Sequence, residues 1–272
     1  MHTAAKLLQR REGDTRTGAL LKADQITLRF GGVVALSDVS FEVGHDELVA
    51  LIGPNGAGKS SLLNVLSGFY KPSQGQVWFE GQNVTQQPVH QIARAGLART
   101  FQSTTLFDNA TVLDNLIVGH RLRTRSGLLD VLVGSSRLRE EERICREKAR
   151  AALDFVGLAH LEHRLAGDVS QEERKRVAFA LALATEPRLV LLDEPAGGVN
   201  PEETVGLAEL IRKMVKSGLT VCLIEHKMDM IMSLADKILV LSYGEKIAEG
   251  TPAEVKANPA VIDAYLGSDH AD

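Results

Sequence analysis

The apolar positions of this chain follow two rhythms, one of strands and one of helices. Leu189–Leu192 is apolar without a break and ends in Asp193-Glu194, and Thr220–Glu225 is a similar run that ends at His226. A run with no polar position has no face for water, so both read as strands covered on two sides, as in a parallel sheet. Leu48–Ile52 is a further apolar run that reads as a strand. Other strands are short and punctuated by turns. Leu21–Phe30 alternates near its end, Gly31-Gly32 turns the chain into Val39–Val43, and Gln76–Glu80 lies between Gly75 and Gly81. These segments are expected to be antiparallel and separate from the main sheet. Leu97–Gln102 predicts a strand running into a polar loop, and Lys237–Leu241 and Glu245–Ala248 predict two short strands near the end.

The helical rhythm begins at Leu62-Leu63 and Val65-Leu66. Ala149, Ala152, Leu153 and Val156 keep helical spacing in a segment crowded with Arg, Lys and Glu that ends at Gly157. Leu207, Leu210, Ile211, Met214 and Val215 form an i, i+3, i+4, i+7, i+8 stripe that stops at Gly218. Thr251-Pro252-Ala253-Glu254 is a capping box with Pro at the first helical position, so one more helix follows. Strands alternating with helices give an α/β fold, with the middle helical stretch inserted into it.

Bulk properties narrow the class of function. With 272 residues, 44% of them hydrophobic and 24% charged, the chain can bury a full core. A net charge of −4 offers no electrostatic footprint for nucleic acid, and no nucleic-acid partner is expected. Cys145 and Cys222 sit far apart in apolar-periodic stretches, which suits buried thiols in a reducing compartment. No apolar run approaches the length of a bilayer span, and Ala4–Leu8 is too short for a signal peptide. The expectation is a cytoplasmic protein whose membrane work passes through a partner, with residues 1–19 a poorly ordered extension. Arg121, Arg123 and Arg125, and Arg137, Arg139 and Arg143 beside Glu140–Glu142, read as solvated helix faces. Contact with lipid head groups or a partner is the other reading.

Between the strand at Leu48–Ile52 and the helix at Leu62 stands Gly53-Pro54-Asn55-Gly56-Ala57-Gly58-Lys59-Ser60-Ser61. The spacing G-x-x-x-x-G-K-S is that of the phosphate-binding P-loop. Glycines let successive backbone N–H groups converge on one point, and the helix start adds its own donors and positive dipole end. Lys59 is placed for the β- and γ-phosphates of a nucleotide, and the Ser60 hydroxyl for Mg2+. Asp193 ends a buried strand, where parallel-sheet proteins gather ligands, and would bind Mg2+ directly or through water. Glu194 points elsewhere and could polarise an attacking water. His226, at another strand end, is read as a contact to the γ-phosphate. Phe30, just before Gly31-Gly32, reads on its own as an ordinary core aromatic.

Taken in order, residues 20–268 resemble the ATP-binding subunit of an ABC transporter. Gly53–Ser60 matches Walker A, Leu189–Glu194 Walker B, Gln102 the Q-loop, Ala196–Asn200 the D-loop and His226 the switch histidine. The resemblance implies a P-loop NTPase (RecA-like) core with an antiparallel β subdomain and an inserted helical subdomain. The core would cover 20–101 and 165–256, the helical subdomain 102–164, and a C-terminal helix and tail 257–272. It implies that ATP and Mg2+ are bound, with Glu194 the general base, Gln102 and His226 in the catalytic set, and Gln102 beside Ser60 and Asp193 at the metal. It raises Phe30 to the position that stacks on adenine, and it implies that two nucleotide domains sandwich two ATPs. Arg99–Gln102, Asp193–Pro201, Leu223–His226 and Ala264–Gly267 look like subunits of branched-chain amino-acid importers. Such importers pair two related ATPases with two transmembrane permease subunits and a periplasmic solute-binding protein, so the ATPase sits at the cytoplasmic face of the membrane. Urea, amide and aromatic-acid importers and the lipopolysaccharide export ATPase look similar, and soluble ABC ATPases are a rival class.

One stretch departs from the family. Where its signature reads Leu-Ser-Gly-Gly-Gln, this chain has Val169-Ser170-Gln171-Glu172-Glu173. Ser170 survives to meet the ATP held by the opposite subunit, but Glu172 and Glu173 would bring negative charge towards its γ-phosphate. At about 4 Å and an effective dielectric near 20, each such pair costs roughly 4 kcal/mol. Ser170-x-x-Glu173 also reads as a local capping box. The expectation is a working Walker half-site, a weakened signature half-site and a heterodimer with a different ATPase.

Overall fold

The computed structural model describes residues 18–100, 106–121 and 136–266. In chain order, β1 (Leu21–Phe30) and β2 (Val33–Val43) form a hairpin, and β3 (Leu48–Ile52) leads through residues 53–58 into α1 (Lys59–Leu66). β4 (Gln74–Phe79) and β5 (Gln82–Asn83) precede α2 (Val89–Ala95) and β6 (Leu97–Arg99). α3 (Val112–Arg121), α4 (Ser136–Phe155) and α5 (Gln171–Ala184) make the helical stretch. The chain returns through β7 (Leu189–Asp193), α6 (Pro201–Lys216), β8 (Thr220–Ile224) and α7 (Met228–Leu234). It closes with the hairpin β9 (Lys237–Ser242) and β10 (Glu245–Gly250), then α8 (Pro252–Lys256) and α9 (Pro259–Leu266).

The strands form two sheets, one of four strands in the order β2-β1-β4-β5 and one of six in the order β10-β9-β3-β8-β7-β6. The small sheet is antiparallel, as its turn-punctuated sequence predicts. In the large sheet β9, β3, β8, β7 and β6 run parallel, and only the edge strand β10 is antiparallel. The unbroken apolar runs follow from cover on both faces. Val49, Leu51, Leu191, Cys222 and Leu239 join a core with α1 and the antiparallel sheet. Leu48, Ala50, Ile52, Val190, Leu192 and Val221 point the other way, into a core with α3, α4, α5 and α6. Cys145 and Cys222 are buried free thiols.

Two strands, β2 and β6, differ most from their predicted bounds. β2 starts at Val33 instead of Val39, because Val34, Leu36 and Val39 continue the pairing with β1. β6 ends at Arg99, so the strand expected over Leu97–Gln102 is seen only in its first half, and Phe101 and Gln102 lie outside the described residues. On α4, Arg143 bridges Glu140 at 2.6 Å and Glu147 at 2.5 Å with its side chain more than half exposed, as a solvated helix face would. The side chains of Arg121, Arg123, Arg125 and Arg137 lie outside the described residues. Among the described residues no helix is long and apolar enough to cross a membrane.

Candidate active site

The site begins where β3 leaves the sheet. Gly53 sits at φ 149°, and a Cβ there would lie 2.1 Å from the carbonyl oxygen of Leu241 on β9, so no side chain fits. The loop then enters α1 at Gly58, which caps the helix without a side-chain hydrogen bond. The first N–H groups of α1 are therefore left to the loop's concavity, where an anion would sit. Lys59 folds back into that concavity and donates to the carbonyls of Gly53 at 2.7 Å and Pro54 at 2.8 Å. Burial lowers the pKa of its amine, and the charge of Glu194 opposes that shift. Burial raises the pKa of the Tyr265 phenol on α9 and the backbone of Gly53 opposes that shift, so the C-terminal helix lies against the first glycine of the loop.

A cavity of about 590 Å3 opens over the loop, in the range of small-molecule sites. Residues Asn55–Ser61 form its floor, and Glu194 and His226 form part of its wall. Val33, Val34 and Ala35 from β2 and Tyr243-Gly244 from the β9–β10 turn complete it. Glu194 follows the last residue of β7, and its own N–H still pairs with Ile224 O at 2.9 Å. Its backbone then turns left-handed, at φ 48°, and its Oε1 lies 2.8 Å from His226 Nε2. Behind them Glu225 is buried, and its carboxylate accepts the N–H of Ala196 at 3.0 Å and of His226 at 3.1 Å. In the sequence Glu225 reads only as a strand end, yet it braces both the loop after β7 and the histidine backbone. Chemically, the wall presents a cation for phosphate and a carboxylate with a histidine in reach of it.

Asp193 lies elsewhere. It is outside the cavity wall, and its Oδ2 pairs with Arg99 Nη2 at 3.0 Å, with both side chains largely buried. The same guanidinium donates to Asn64 Oδ1 on α1 at 2.6 Å and to Ser67 Oγ at the end of that helix at 3.1 Å. Arg99 therefore ties together β6, the end of β7 and the helix that follows the P-loop, a role its place in the sequence does not show. Among the described residues no group of three or more His, Cys, Asp and Glu could hold a metal by itself. Mg2+ differs from metals held in such cages: it keeps several waters and takes one or two carboxylates plus substrate phosphates. The Ser60 hydroxyl in the wall, with phosphate above it, fits that donor set.

Among the described residues, Phe30 and Ser170 do not line this cavity. Phe30 pairs in register with the wall residue Val33, but its own half-exposed ring packs edge-on against Tyr70 at 5.1 Å. Gln102 lies outside the described residues. Ser170 caps α5: its hydroxyl accepts the N–H of Glu173 at 3.2 Å, and the Glu173 carboxylate accepts the N–H of Ser170 at 2.7 Å. Glu172 pairs with Arg176 one turn on. The capping box read from the sequence is present, and what the sequence did not show is the arginine partner of Glu172. One carboxylate carries an arginine and the other is folded into the cap, while the two missing glycines remain the departure.

Comparison with known proteins agrees with this geometry. The ABC transporter family model matches residues 36–197, and the branched-chain amino acid ATP-binding cassette transporter model matches residues 245–271. The chain is 40% identical over 249 residues to the high-affinity branched-chain amino acid transport ATP-binding protein BraF of Pseudomonas aeruginosa, covering 91% of this chain and 98% of the relative. It is 39% identical over 249 residues to LivG of Escherichia coli, with the same 91% and 98% coverage. A solved ATP-binding cassette of an ABC transporter in its ADP conformation superposes with a TM-score of 0.81 at 34% identity, over 92% of this chain and 100% of that one. A nucleotide-free cassette superposes with a TM-score of 0.80 at 33% identity, over 91% of this chain and 99% of that one.

Proposed function

The chain belongs to the ATP-binding subunits of ABC transporters and is an ATPase of that family, and from that premise we propose that it powers import of branched-chain or related amino acids. It would do so from the cytoplasmic face, with two transmembrane permease subunits, a second ATP-binding subunit and, through them, a periplasmic solute-binding protein. The observation that carries the catalytic part is the meeting of Lys59, Glu194 and His226 in one cavity above the P-loop. The match of residues 245–271 to the branched-chain amino acid cassette model supports the choice of solute.

In this reading the amides of residues 53–61 grip the triphosphate, and Lys59 gives up the carbonyls of Gly53 and Pro54 for the β- and γ-phosphates. Ser60 and Gln102 would hold Mg2+, with Asp193, paired to Arg99 outside the cavity wall, reaching it through water; bound there, the ion would neutralise charge on the phosphate oxygens. Glu194 accepts a proton from the attacking water, and His226 steadies both that carboxylate and the γ-phosphate. Phe30 packs against adenine. Glu194→Gln keeps size and hydrogen bonding but removes the base. ATP hydrolysis should then fall by about 10²–10⁴ while ATP still binds. Retained hydrolysis in this variant rules out Glu194 as the base. Leucine uptake into vesicles holding the assembled importer tests the solute, and failure to transport any branched-chain amino acid overturns that assignment.

The second ATP-binding subunit is proposed to be a different chain with an intact signature. Ser170 is spent on its own helix cap, and neither Gln171 nor Glu172 gives the backbone the freedom of glycine. Purified alone, the chain should hydrolyse ATP slowly, and a sister subunit should raise the rate. Brisk turnover by the chain alone, unchanged by Glu172→Gly, sinks the heterodimer.

A further inference from the structure

Tyr243 has no part in the roles above, and three observations about it do not fit a bystander. It is the first of two residues joining β9 to β10, because Ser242 and Glu245 pair across the hairpin. Both linking residues have positive φ, 47° for Tyr243 and 81° for Gly244. Such two-residue turns take Asn, Asp or Gly, and a bulky aromatic at positive φ is an outlier. Packing does not hold the ring there, since Tyr243 is 91% exposed. Backbone strain and an exposed aromatic surface both count against this residue within the chain. Strain of this kind gathers at functional sites, where something outside the free chain makes use of it.

The turn is also fixed to the P-loop. The Gly244 N–H donates to Ala57 O at 3.1 Å, and Gly244 O accepts the N–H of Ser37 at 2.9 Å. Tyr243 therefore stands at a set place in the wall of the cavity that holds Lys59 and His226. A triphosphate occupies the amide floor, and its outer end meets Glu194 and His226. Within the cavity wall the nucleoside half has Val33, Val34, Ala35 and Tyr243 beside it. Val33 and Val34 are themselves 66% and 39% exposed, an apolar surface beside the ring. Phe30 lies outside that wall, its ring turned edge-on to Tyr70.

We propose that Tyr243 is a nucleoside-binding residue, whose ring packs against the base and ribose of the bound nucleotide beside Val33 and Val34. The inference rests on the nucleotide reading of the P-loop and adds, to the adenine contact proposed for Phe30, a second aromatic residue for the non-phosphate half. Every base offers an aromatic face, so the contact holds ATP and GTP alike and supplies affinity without base selection.

Calorimetry on the full chain, in a Glu194→Gln background to prevent turnover, separates the possibilities. With Mg2+ present, Tyr243→Ala should weaken ATP and GTP binding about tenfold, and Tyr243→Phe should leave both unchanged. Inorganic tripolyphosphate, which lacks a nucleoside, should bind wild type and Tyr243→Ala equally. Tyr243→Asn should lose ATP affinity while raising the thermal midpoint of the free protein, because asparagine tolerates the turn. Unchanged ATP affinity in Tyr243→Ala overturns the proposal. So does an equal loss for tripolyphosphate, which places the effect on the loop. So does a loss seen only at concentrations where two copies associate. If Lys59→Ala abolishes ATP binding in those same experiments, the phosphate reading survives the failure of this one. If wild type binds neither ATP nor tripolyphosphate, both fall together.

Discussion

The P-loop end and the signature end of this ATPase treat their polar groups in opposite ways. At the P-loop, Lys59 is buried with its amine on the backbone carbonyls of Gly53 and Pro54, and burial lowers its pKa. The charged form is held at a cost in free energy that an arriving phosphate would offset. Gly58 caps α1 without a side chain, leaving helix donors open. At the signature position, Ser170 and Glu173 satisfy each other's N–H groups and Glu172 is bound to Arg176. A helix start whose donors are already used is stable by itself and has less to offer a ligand. The contrast shows how one P-loop core can be prepared for a nucleotide at one edge and settled for local stability at another.

The sharpest way to break this contrast is at the base, where Glu194→Gln should cost the largest factor, the 10²–10⁴ given above, in ATPase assays of the assembled complex. An equal loss from Ser170→Ala would erase the distinction between the two ends. Next comes the buried pair that joins the P-loop helix to β7. Arg99→Gln leaves the Asp193 carboxylate buried and unpaired, so the folding free energy should fall by about 3–5 kcal/mol in urea titration. Recovery of most of that loss in Arg99→Gln with Asp193→Asn identifies the pair as the cause. Tyr265→Phe removes the phenol that faces the Gly53 backbone and should cost no more than about 1 kcal/mol of stability. A much larger loss of ATP affinity than of stability in that variant makes α9 a working part of the P-loop. Ser170→Ala should be the mildest, near 1 kcal/mol from the lost cap, measured by thermal unfolding. Unchanged stability together with reduced ATPase of the complex returns Ser170 to the nucleotide.

Much of this site was legible before any coordinates. The P-loop spacing, the acids closing Leu189–Leu192 and the histidine closing Thr220–Glu225 are all local patterns, and each lies at the end of a strand the apolar runs define. The capping box at Ser170 was equally readable, since it involves residues three apart. What sequence concealed involves residues far apart in the chain. Arg99 meets Asp193 across 94 positions, and Tyr265 reaches back to Gly53. Glu225 escaped notice for another reason. It is a neighbour of His226, but its partner Ala196 lies on a different strand-end loop, so its function is visible only once β7 and β8 are side by side. Tyr243 sat in the gap between two predicted strands, where a turn is expected but neither its φ nor the cavity beside it can be inferred.

By itself the sequence determined the parts: a parallel sheet from its unbroken apolar runs, a phosphate loop from its glycines, and the types of residue that stand at the strand ends. These depend on short-range sterics, on periodicity and on hydrophobic burial, which neighbouring residues encode together. Only the tertiary structure decided which of those residues share a cavity. That depends on strand order, and the placing of β3 between β8 and β9 brings Glu194, His226 and Tyr243 around one loop while holding Asp193 on Arg99.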